Sequence, residues 1–91
     1  MEAEMASFRE RVAARLVGAK QLKPARKRDF LKVMGDLEKA GIGPMEILAL
    51  IQLILFIIEA AGPLVQKIKE LIEALRKNRL AEFKKKVGFK G

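Results

Sequence analysis

From Ile47 to Ile58 the chain runs through twelve residues of which only Gln52 is polar. A helix this apolar presents grease on every side, so it has to be buried in protein or in lipid. Crossing a hydrocarbon layer about 30 Å thick takes about 20 apolar residues, whereas twelve helical residues rise only about 18 Å. Glu46 and Glu59 close the run at its ends. A longer span would drag Glu59 and the Gly62-Pro63 break into lipid, at a cost of a few kcal/mol for the carboxylate alone. The stretch is therefore expected as the core of a helical protein, with insertion into a membrane as the alternative.

Around it, glycine and proline punctuation separates helical periodicity, and no run shows the strict alternation of a half-buried strand. The class is all-α. Four helical segments are expected, at about 2–18, 24–40, 44–61 and 63–87, forming one small bundle with the apolar third helix at its centre. Residues 88–91 are expected as a frayed basic tail of this single domain.

Segment one places Met5, Phe8, Val12 and Leu16 on one face, with Glu2 and Glu4 in the first turn, where the helix dipole favours carboxylates. Gly18 is its expected stop. Pro24 and Pro44 suit first helical turns, where a missing N–H has no partner to lose. Phe30, Val33, Met34 and Leu37 form the apolar face of segment two, and Gly35 in their midst suggests a close helix contact. Segment four carries Leu64, Ile68, Leu71, Ile72 and Leu75 as a stripe, then Leu80, Phe83 and Val87 on a rotated face. A bend near Asn78, or two different neighbours, is expected there.

Three neighbours drawn from a 91-residue chain have modest apolar faces, so some of the third helix should stay uncovered. Exposed contiguous apolar surface usually marks a contact with another molecule. Self-association is expected through Ile47, Leu50, Ile51, Ile54, Leu55 and Ile58, with a closed monomeric bundle as the alternative.

The chain has no His, Cys, Trp, Tyr or Thr, a single Ser at position 7 and a single Asn at position 78. General acid–base chemistry near neutral pH mostly uses His, and nucleophilic catalysis needs an activated Ser, Cys, Thr or Lys beside a base. No enzyme activity, catalytic residue, cofactor, metal site or small-molecule substrate is expected. Without cysteine there is no disulfide scaffold. The charged N-terminus lacks a signal-peptide pattern, so a cytoplasmic or virion-associated protein is expected rather than a secreted one.

Formal net charge is +8, and its placement is uneven. Residues 1–19 are neutral, 20–41 carry seven bases against three acids, 42–63 hold only Glu46 and Glu59, and 64–91 carry nine bases against three acids. Two basic blocks flanking an apolar middle favour a polyanionic partner. Candidate contacts in the first block are Lys20, Lys23, Arg26, Lys27 and Arg28. These crowd a helix start, where the dipole disfavours cations and a bound phosphate would relieve the conflict.

In the second block the candidates are Arg76, Lys77, Arg79, Lys84, Lys85 and Lys86, at a helix end that welcomes positive charge without a ligand. The third helix has no side chains able to read base edges, and the phenylalanines suit core faces better than base stacking. Nucleic-acid binding would therefore be backbone-directed and independent of sequence.

In composition, the order of neutral start, apolar middle and basic end resembles small helical coat proteins of filamentous viruses, which implies packaging of a nucleic acid. A nucleoid-type packaging protein fits the same pattern. An anionic membrane surface is the alternative partner, and a protein adaptor or inhibitor is a further one.

Overall fold

The computed structural model describes residues 2–90, with side chains from Ser7 to Lys90. Its helices are α1 (Glu2–Gly18), α2 (Lys27–Lys39), α3 (Pro44–Ala49), α4 (Ile51–Glu59), α5 (Leu64–Arg76) and α6 (Leu80–Val87), with a 3-10 turn at Pro24–Arg26 leading into α2. No strand occurs among the described residues. Glu2, Glu4 and Met5, placed above in the first segment, have side chains outside the described set, and Met1 and Gly91 lie outside it altogether.

Four expected segments have become six helices among the described residues. The third divides at Leu50, whose N–H is shared between the carbonyls of Glu46 at 3.2 Å and Ile47 at 2.9 Å. The shorter of these is an i→i+3 bond, which tightens the turn between α3 and α4. The fourth segment divides at Asn78, which adopts a left-handed backbone (φ 54°).

That left-handed residue belongs to a device used four times. After α1, Gln21 N–H reaches the Leu16 carbonyl and Lys20 N–H reaches that of Val17. This crossed pair is a Schellman closure, with Lys20 at the position that must turn left-handed. Gly41, Asn78 and Gly88 occupy the same position after α2, α5 and α6, with bonds of the same pattern. Glycine or asparagine is the usual choice there, so Lys20 is the outlier. Gly18, the expected stop, is the last residue of α1.

The centre of the molecule is α2, which packs against α1, α3, α4 and α5. Its periodicity explains this role, since Phe30, Val33, Met34 and Leu37 are all fully buried. The apolar third segment was expected at the centre; as α3 and α4 it is one wall of the core around α2. The close contact expected at Gly35 is absent, because a Cβ there would meet nothing within 4 Å.

Most of the third segment is nonetheless enclosed by its own chain. Ile47, Leu53, Ile54 and Ile57 are at most 2% exposed, Leu50 6% and Ile58 5%. Of the six residues expected to drive self-association, Ile47, Leu50, Ile54 and Ile58 thus face the core of a single copy. Only Ile51 and Leu55 stay half-buried. One copy covers this much because α2 and α5 both pack against α4 and the end of the chain folds back. There Phe89, expected within a frayed tail, sets its ring edge against Phe56 at 5.4 Å.

Lys67 completes the break between α4 and α5. Its ammonium donates to the carbonyls of Ile57 (2.8 Å), Ala60 (2.6 Å) and Ala61 (3.3 Å). Those carbonyls lie at the end of α4, where helical partners run out. This lysine is therefore structural.

Candidate polyanion interface

The first basic block gathers where the chain enters α2, and there the fold supplies its own anions. Glu59, the last residue of α4, stands 4.0 Å from Lys23 and 3.8 Å from Arg26. Asp29, in the first turn of α2, lies 3.5 Å from Arg26, and Glu10 of α1 lies 3.3 Å from Lys27. The conflict between cations and a helix start is thus relieved by carboxylates from α1, α2 and α4. Of the five candidates here, Lys20 and Arg28 have no carboxylate within 4 Å among the described residues.

The second block is differently arranged. α5 and α6 form a hairpin bent at Asn78, and two pairs use its acids: Lys77 with Glu73 at 2.7 Å and Lys86 with Glu70 at 2.6 Å. The hydrogen bond from Lys86, joined by one from Gln66, holds the Glu70 carboxyl below its ordinary value of 4.5. The Lys77 ammonium does the same for Glu73.

Arg76, Arg79, Lys84 and Lys85 have no carboxylate within 4 Å among the described residues. Arg76 and Arg79 flank the bend, while Lys84 and Lys85 lie in the last turn of α6. Arg79 and the Lys84–Lys85 pair are five to six positions apart, about 8 Å at the helical rise. Lys84 also rests over the Phe89 ring at 5.9 Å from its centroid. A helix C-terminus carries only about half a negative charge, so it cannot offset the lysines gathered at the end of α6.

A third cationic area was missed in the sequence. Where the end of α2 meets the outer face of α5 there is an open groove of about 700 Å³ with Lys39, Lys69 and Arg76 along its rim. Lys39 and Lys69 sit in different segments, 30 positions apart, and nothing local signals that the fold brings them together. The outer face of α5 itself is legible, since Val65, Lys69, Ile72 and Arg76 recur at helical spacing.

Three further features bear on function. Outside the groove, the large apolar side chains left most exposed among the described residues are Met45 at 80% and Leu48 at 43%, both on α3. No helix of the described residues is long and apolar enough to cross a membrane. No cluster of three metal-ligating side chains occurs among them. Comparison with known protein families, curated proteins and solved structures found no match.

Proposed function

We propose that this chain is a non-enzymatic helical module that binds a polyanion, with a nucleic-acid backbone as its ligand and the α5–α6 hairpin as its contact surface. One observation carries this reading. Near the start of α2 the fold faces Lys23, Arg26 and Lys27 with Glu59, Asp29 and Glu10, and on the hairpin it pairs Lys77 and Lys86 with Glu73 and Glu70, but Arg76, Arg79, Lys84 and Lys85 have no carboxylate within 4 Å among the described residues. Unmatched charges on a folded scaffold attract phosphates at little conformational cost, and they are indifferent to base identity because they reach the backbone. A packaging role, in a virion or on cellular nucleic acid, is one use of such a surface.

The test is fluorescence anisotropy with two duplexes of equal length and unrelated sequence across a salt series. Four phosphate contacts give a slope of log K against log salt of about −3.6, the same for both duplexes. No binding at low salt, or a marked preference for one sequence, overturns the reading. Vesicle flotation separates the membrane alternative, since retention on anionic lipid without binding to either duplex replaces nucleic acid by a membrane surface.

Self-association has a smaller basis than the apolar run suggests. Met45 and Leu48, one turn apart on α3, are an exposed apolar pair available for it. Sedimentation of Met45→Ser/Leu48→Ser against the parent checks that contact, and an unchanged distribution removes it.

A further inference from the structure

The groove between α2 and α5 differs in kind from the hairpin surface. Its accessible floor is apolar, formed by Val65 at 55% exposure, half-buried Ile72 and Ala40, with Ile68 beneath them. Its acids are already matched. Asp36 lies 3.6 Å from Lys32, and Glu73 lies 2.7 Å from Lys77. Lys39, Lys69 and Arg76 on the rim have no carboxylate within 4 Å among the described residues.

A phosphodiester backbone has nothing apolar to lay on Val65 and Ile72. Small-molecule sites enclose most of their ligand, and this groove is open along its side. An amphipathic helix answers both conditions, because it lays one apolar stripe into a groove and leaves its flanks at the rim. The stripe from Val65 to Arg76 runs about 16 Å at the helical rise, which is three turns of a docked helix. Unmatched lysine and arginine on the rim require those flanks to be acidic.

We propose that this groove docks a short acidic amphipathic helix of a partner protein, seated on Val65 and Ile72 and held at its flanks by Lys39, Lys69 and Arg76. A second copy of this chain does not supply such a helix. α1, α2, α5 and α6 each carry at least as many bases as acids, and α4 has only Glu59, which faces Lys23 and Arg26. α3, with Glu46 beside Met45 and Leu48, is only 6 residues long, under the three turns that the stripe takes. The groove and the hairpin are separate surfaces that share Arg76, so the test avoids that residue.

The probe is a fluorescein-labelled helical peptide of about four turns with Leu at i, i+3, i+4 and i+7 and Glu on both flanks. Its control keeps every Glu and replaces Leu by Ser. The peptide is expected to bind by anisotropy at least about tenfold more tightly than the control. Val65→Glu, at an exposed position that leaves the core intact, is expected to weaken it about tenfold or more, and Lys39→Ala/Lys69→Ala by several-fold.

Lys84→Ala/Lys85→Ala is expected to leave peptide affinity within about twofold while weakening duplex binding. Circular dichroism checks that each variant is folded. The proposal is overturned if the peptide does not bind, if the Ser control binds equally, or if Val65→Glu leaves peptide affinity unchanged. It is also overturned if Val65→Glu abolishes binding to anionic vesicles or a duplex while the peptide is unaffected, which assigns the groove to lipid or nucleic acid.

Discussion

Arg26, at the entry to α2, faces Glu59, at the end of α4, across 3.8 Å, so a basic cluster and an apolar helix far apart in sequence neutralise one another. Lys23 shares the same carboxylate. Both partners are about half exposed, and exposed pairs of this sort contribute about 0–1 kcal/mol to stability. Their consequence lies in which cations stay available to a ligand.

Glu59→Gln therefore acts on binding more than on folding. The expected change in unfolding free energy is under about 1 kcal/mol. Affinity for a duplex at low salt rises, and the salt slope steepens by about one as Lys23 is released, while Arg26 keeps Asp29 at 3.5 Å. Anisotropy titrations of the variant beside the parent check this.

A more consequential pair joins α1 to α2. Arg9 donates to Glu38, whose side chain is only 9% exposed and whose second oxygen is buried without a partner among the described residues. Arg9→Ala leaves that carboxylate uncompensated and is expected to destabilise by about 1–3 kcal/mol. Arg9→Met/Glu38→Leu, which removes both charges and keeps the bulk, is expected to recover most of the loss. Urea unfolding of the two variants measures the difference.

Backbone choices at two positions run against local preference. Lys20 holds a left-handed conformation (φ 61°), so Lys20→Gly is expected to stabilise by about 1 kcal/mol. Gly35 sits inside α2 with open space where a side chain would be, so Gly35→Ala is expected to stabilise by about 0.5–1 kcal/mol. The thermal midpoints of both variants should rise.

These cases show what was legible in the chain and what was not. Local periodicity located the face of α2, since Phe30, Val33, Met34 and Leu37 follow helical spacing and all are buried. It also placed the end of α1 at Gly18. The rotation of apolar positions after Leu75 left a bend near Asn78 and a change of neighbours as alternatives, and the chain bends at Asn78. Hydropathy could not show that α2, rather than the greasier α4, is the centre, because centrality depends on how many neighbours a helix meets. Nor could it pair Glu59 with Arg26 or bring Lys39 to Lys69, since both relations arise only once α2 lies between distant segments.

Acid should loosen the hairpin in a defined window. Glu70 is held below its ordinary value of 4.5 by its hydrogen bond from Lys86 and then by that from Gln66. The unfolded chain therefore takes up a proton at this group at higher pH than the folded one does. The stabilisation is complete above about pH 4.5 and is lost as pH falls through the lowered folded value. Glu73, lowered by Lys77, acts in the same direction. Urea midpoints measured below pH 4.5 are expected to fall less steeply for Glu70→Gln than for the parent.

The most direct test compares two triple variants in duplex binding across a salt series. Removing Arg79, Lys84 and Lys85 as alanines is expected to weaken binding at low salt and to flatten the salt slope by about two to three. Removing Lys23, Arg26 and Lys27 is expected to change the slope by less than about 0.5, because Glu59, Asp29 and Glu10 already face them. Equal losses in both variants, or a larger loss from the Lys23 set, would contradict the division between internally matched and outward-facing charge.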